Sequence, residues 1–336
     1  MNKLNRLLLV IFCLLQPTAA FAALFDEDAP LNIEIQADFS LLERERDKAA
    51  DYPGMLTIGE FELPIELNVR GNNRLKKTTC KNSPLKIDFK KSDLRKQTIF
   101  HKEGDLKLVV QCKNGGVYRD YLRAEYLAYK MINAITPLSY GVRWVNVVYK
   151  TNDKTIGERP AFLVEHKKRV AKRNNADLEQ PKNLPEYNDL APVQTALIEQ
   201  LQYFLGNADY SLLRSAEPGE CCHNAKLVHQ DAQFAPIIYD FDSSGLVATS
   251  YATPPPNLKI RSVRQRIFRG YCQSESALQA ARAQILAAQE TILSLVKSDQ
   301  VLSKSGIKKT LRYVTESFKH FREDKIWNKN ILQACR

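Results

Sequence analysis

The hydrophobic period of this chain changes once, and that change limits the folds open to it. Up to about residue 165, apolar and polar residues mostly alternate: 31–37 reads LNIEIQA, 61–69 reads FELPIELNV and 85–89 reads LKIDF. Further short β-rich runs lie at 106–110, 144–149 and 161–165, separated by Gly, Asn and Lys clusters. A period of two sets one side of each strand against a core. One helix interrupts this half. Residues 118–135 place Tyr118, Leu122, Tyr126, Tyr129 and Ile132 on a stripe, and Pro137 closes it. Residues 169–192 are polar, carry Pro181 and Pro185, and read as a loop. Helical periods then dominate at 192–205, 276–297 and 303–321, with a small β-like insertion at 226–228 and 237–239. The expectation is an α+β chain of two lobes around a cleft. Residues 23–168 form a β-rich N-lobe with one embedded helix, and 169–336 form a helical C-lobe.

Residues 1–22 combine a basic start at Lys3 and Arg6, an apolar run over 7–15, and the small-residue exit Ala20-Phe21-Ala22. This is the layout of a secretory signal peptide cleaved near Ala22. The run falls well short of the roughly 20 apolar residues that span a bilayer, and no second one follows. The mature protein is therefore expected to be periplasmic or extracellular, with no membrane span. Six cysteines remain after cleavage: Cys80, Cys112, Cys221, Cys222, Cys272 and Cys335. An even number in an oxidising compartment favours at least two disulfides, and sequence leaves their pairing open. No CxxC spacing supports zinc.

Lys and Arg number 49 against 38 Asp and Glu, a net charge of +11 over 336 residues. The excess is spread over 74–77, 90–96, 167–173 and 308–312 without interleaved aromatics, which argues against a nucleic-acid groove. Such a surface suits an acidic or phosphorylated partner. Arg261, Arg264, Arg266 and Arg269 either contact such a partner or form a solvated helix face.

The densest polar cluster is 206–245. Gly206-Asn207-Ala208-Asp209 follows a helix end, His223-Asn224 comes next, and Asp240-Phe241-Asp242-Ser243-Ser244-Gly245 follows a strand-like run. Hard cations take oxygen ligands, typically one or two carboxylates together with substrate phosphates. Asp240 and the Asn224 amide could supply them, leaving Asp209 as a base free of the metal. That division of labour suits phosphoryl transfer. Asp and Ser before Gly is also ordinary turn chemistry, and Gly206 is also an ordinary helix stop.

The string Gly-Asn-x-Asp … Asn … Tyr-Asp resembles the catalytic segment of atypical kinases, HipA-type kinases among them. Arg70-Gly71-Asn72-Asn73-Arg74, then Lys76-Lys77 and the strand containing Lys86, resembles a block of the spore coat protein H (CotH) kinase family. Leu122-Arg123, the strand pair ending in Glu165 and the Asp240–Gly245 stretch resemble further blocks, in family order over about 65–245. Tyr239 stands where that family has Trp, and Asp209 and Asn224 lie 15 residues apart, wider than in ordinary kinases. The resemblance implies a protein-kinase-like fold that passes phosphate from ATP, with Mg²⁺ or Mn²⁺, to protein Ser or Thr. It makes Asp209 the catalytic base and Asn224, Asp240 and Asp242 the metal ligands. ATP would meet Lys86 paired with Glu125, together with Arg70, Gly71, Arg74 and Glu165; Lys107 is the alternative lysine. A degenerate kinase-fold scaffold of the cell envelope, and a transferase acting on a non-protein acceptor or moving AMP, fit the same pattern.

Overall fold

The computed structural model of the protein describes residues 23–89, 93–179, 181, 183–215 and 217–336. The expected signal peptide and residues 90–92 of one basic run lie outside the described residues. In chain order the elements begin β1 (Leu31–Ala37), α1 (Phe39–Glu45), β2 (Tyr52–Ile58), β3 (Phe61–Val69), β4 (Leu85–Phe89) and β5 (Asp105–Val110). They continue with α2 (Gly116–Asn133), β6 (Val142–Thr151), β7 (Lys154–Val164), α3 (Lys167–Arg173), α4 (Pro192–Leu205), β8 (Ala225–Gln230) and β9 (Gln233–Ile238). The last are α5 (Glu275–Ala287), α6 (Gln289–Lys297), α7 (Lys304–Arg322) and α8 (Asp324–Trp327). The fold is mixed, with a sheet-rich part followed by helices. Among the described residues, no helix is long and apolar enough to cross a membrane.

Seven strands close into a barrel in the order β1-β2-β3-β4-β5-β7-β6. Neighbours are antiparallel except β1 and β6, which pair in parallel with Leu31 opposite Val145. Alternation explains the filling. Ile33, Ile35, Leu63, Ile65, Leu67, Leu85, Ile87, Leu106 and Leu108 are all buried in one apolar cluster. The intervening residues on most strands meet solvent. On parts of β5, β6 and β7 they do not, because Val109, Val142, Trp144, Phe162 and Val164 belong to a second core with α2 and the later helices, whereas Asn146 and Glu158 remain exposed. Tyr126 of α2 meets Trp144 and Phe162 edge-on at 5.5 and 5.8 Å.

Several expectations need correction. The sheet-rich half holds two helices rather than one: α1 is short but capped by Asp38, whose Oδ1 accepts from the Leu41 N–H at 2.9 Å. The strand β2 also joins the barrel, although Pro53 and Gly54 break its alternation. The expected loop at 169–192 begins inside α3, capped by His166. The expected long helix over 276–297 is two, α5 and α6, divided at Ala288. Residues 260–271 form no helix. Arg266 instead donates to Tyr313 O and Ser317, and Arg269 to Tyr210 O at 2.7 Å, so both act as internal ties.

Among the described residues, three disulfides join all six cysteines: Cys80–Cys112, Cys221–Cys222 and Cys272–Cys335. The first ties the loop after β3 to the end of β5. The third ties the C-terminus to the segment before α5.

Candidate active site

A cleft of about 630 Å³ lies between the barrel and the helical part. The barrel supplies Arg70, Gly71 and Arg74 from the loop after β3, Lys86 from β4, Lys107 from β5, and Glu165, His166 and Lys167 after β7. The other wall carries Asp209, His223, Asn224, Lys226, Tyr239, Asp240 and Asp242. Of the residues that the resemblance assigns to catalysis, metal or ATP, Glu125 alone is not on this lining.

The far wall begins at the end of α4. Gly206 takes φ +66°, and a Cβ there would stand 1.9 Å from the Tyr313 hydroxyl, so the turn needs glycine. Asn207 is buried, and its Oδ1 accepts from the Asp209 N–H at 3.1 Å. The long excursion from Asp209 to Asn224 is closed by its own backbone: Ser211 and His223 exchange N–H···O bonds of 3.0 Å in both directions. Asn224 thereby returns to Asp209, donating from Nδ2 to its carbonyl at 2.8 Å. His223 Nε2 bonds Asp209 Oδ1 at 2.8 Å, and this bond raises the imidazole pKa.

The hairpin β8–β9 brings in the other acids. Its turn, Asp231-Ala232, has positive φ at both residues, as tight hairpins require. Tyr239 N–H donates to Asn224 O at 3.1 Å, which locks the two segments together. Asp240 adopts φ +67° and donates its N–H to the Tyr129 hydroxyl of α2 at 2.9 Å. Asp242 is buried, accepts from Ser243 Oγ at 3.2 Å and Tyr251 Oη at 3.0 Å, and is pushed up to about 6 by burial and by Asp240.

The barrel wall departs from what the resemblance implies. Lys86 does not pair with Glu125; its ammonium lies 4.0 Å from Asp88 and is well exposed. Glu125 faces Arg74 instead, at 3.7 Å, and burial pushes it up to about 8. Lys107 stands opposite Lys86 in the β4–β5 register, on the strand that leads into α2. Its ammonium sits 4.0 Å above the Tyr239 ring, and burial, then Arg70, lower it to about 7. Glu165 borders the cleft, but its carboxylate is occupied. It accepts from Gly141 N–H at 2.8 Å and from Arg173 at 3.0 and 3.1 Å.

Asp240's carboxylate and Asn224 Oδ1 accept no hydrogen bond among the described residues. Hard oxygen donors free in a cleft fit Mg²⁺, which keeps waters and phosphates as its remaining ligands. The three aspartates do not form a closed cage. Among the described residues, the trio of His, Cys or acidic groups within 4.8 Å is Asp177, Glu179 and His229, elsewhere on the surface.

Sequence reasoning passed over Lys167, Lys226 and the His223 contact. Lys226 had a signal: it lies two residues beyond Asn224 in an alternating strand, while Ala225 and Leu227 are buried.

No protein-family model and no curated protein matches the chain. Among solved structures it is similar to CtkA, a proinflammatory kinase of Helicobacter pylori, with 10% identity and a TM-score of 0.37. That alignment covers 74% of this chain and 94% of CtkA. A likeness at that score carries no argument, and the spore coat family resemblance rests on its motifs alone.

Proposed function

We propose that this chain is an exported phosphotransferase of protein-kinase type, moving the γ-phosphate of ATP to a protein hydroxyl. One observation carries the reading: Asp209, Asn224, Asp240 and Asp242 come from three separate segments, and they line one cleft with Arg70, Gly71, Arg74, Lys86 and Lys107. In this reading the division at 168/169 separates the two halves that hold the nucleotide. Asn224 and Asp240 would hold Mg²⁺, and the bound ion would neutralise phosphate charge. Lys107 is preferred over Lys86 as the phosphate lysine, because its ammonium packs over Tyr239 on the strand preceding α2, whereas Lys86 lies beside Asp88. Asp209 accepts the proton of the incoming hydroxyl, and His223 and Asn224 hold it in place.

The test is incubation of the full chain with labelled ATP, Mg²⁺ or Mn²⁺, and a generic protein acceptor. Transfer that disappears in Asp209→Ala and Asp240→Ala is the expected result. Label carried over as AMP, or placed on a glycan, would redirect the reading to a different transferase.

A degenerate scaffold is favoured by one specific observation. Arg74 occupies the glutamate that a kinase lysine needs. Nucleotide binding without any transfer would select it.

A further inference from the structure

The cleft carries positive charge that the nucleotide reading does not use. Lys167 follows directly on β7 and His166, at the end of the cleft where the two halves of the chain join. Lys226 of β8 lines the same cleft, as does Lys107. None of the three ammonium groups lies in an ion pair among the described residues. Glu165 is committed to Arg173 and Gly141, and Asp105 lies 3.6 Å from His166; Asp240, the carboxylate left free, acts on Lys107. Lys167 and Lys226 line the same cleft with no carboxylate paired to either among the described residues. Two like charges so placed favour a bound anion.

We infer that Lys167 and Lys226 form an anion site for a ligand phosphate group, separate from the phosphates that Lys107 and the metal ligands would hold. Lysine binds phosphate as a flexible point charge and needs no fixed fork geometry, which suits two ammonium groups from two different elements. The ligand is accordingly a phosphorylated molecule: either a nucleotide bearing a phosphate on its sugar, or a separate phosphorylated compound. The inference rests on the cleft being a ligand site and does not need phosphoryl transfer.

The experiment is calorimetric titration of the full chain, stripped of metal, with inorganic pyrophosphate and, in parallel, adenosine 3′,5′-bisphosphate. Binding should weaken about tenfold or more in Lys167→Ala/Lys226→Ala, a loss of about 1.4 kcal/mol or more. It should vanish in Lys167→Glu/Lys226→Glu. Lys304→Ala/Lys308→Ala, on the exposed face of α7, should bind as the native chain does. Unchanged binding in the Lys167/Lys226 variants, or equal weakening in the α7 variant, overturns the inference. The probe that binds tighter, and loses more, names the source of the phosphate. Loss of Mg-ATP binding in the native chain alongside intact pyrophosphate binding would defeat the kinase reading and leave this site standing.

Discussion

Arg74 and Glu125 face each other at 3.7 Å with side chains only 11% and 4% exposed, joining the loop after β3 to helix α2. Removing one partner strands the other. Arg74→Met should destabilise the fold by about 3–5 kcal/mol, whereas Arg74→Met/Glu125→Leu should recover most of that loss. Denaturant unfolding of the two variants compares them directly. Equal losses would mean that Arg74 acts mainly through its bond to Val110 O.

Glu199 on α4 is buried and, among the described residues, accepts only from the Tyr271 N–H, at 3.2 and 3.3 Å. Burial pushes it up to about 8 from an ordinary 4.5. A carboxyl with a raised folded pKa stays protonated in the fold. Its contribution is complete below 4.5 and is lost as the pH climbs through 8. Melting temperature should therefore fall across that window, and Glu199→Gln should flatten the slope by up to about 1.4 kcal/mol per pH unit. A slope identical in the variant would show that Glu199 ionises normally.

The Cys80–Cys112 bridge closes a loop of 32 residues that carries Lys86 and Lys107. Cys80→Ser/Cys112→Ser should lower stability by about 3–4 kcal/mol on the chain-entropy account. Mass spectrometry of the native chain under non-reducing conditions should find no free thiol. A labelled thiol at any of the six positions would contradict the pairing.

Lys86 and Lys107 are opposite each other in the strand register, yet they see different surroundings. Lys107→Met should weaken nucleotide binding tenfold or more, and Lys86→Met should change it less than about threefold, the range of an exposed ion pair. Fluorescent nucleotide titration separates them. The reverse ranking would return the phosphate role to Lys86.

Much of the sheet was legible because its strands alternate cleanly: β1, β3 and β4 lie where the pattern put them. β2 was not legible, since Pro53 and Gly54 spoil its period, and α1 is too short for periodicity to register. The acidic wall was legible from Asp209, Asn224 and Asp240, each at the end of a regular element. The lysine wall was harder. Lys86 and Lys107 both sit in alternating strands, and only barrel closure decides which face looks into the cleft. Glu125 could be placed on its helix, but its partner could not, because Arg74 reaches it from a loop whose path depends on a disulfide.

The parallel pairing of β1 with β6 builds an assembly order into the ring. The strand made first lies beside one of the last, so β1 keeps an open backbone edge until 142–151 has been delivered. Closing that seam joins positions more than 110 residues apart, a slow step for any chain. Until it closes, the exposed edge is the place where two copies could wrongly join, and where a holding factor would have most to protect.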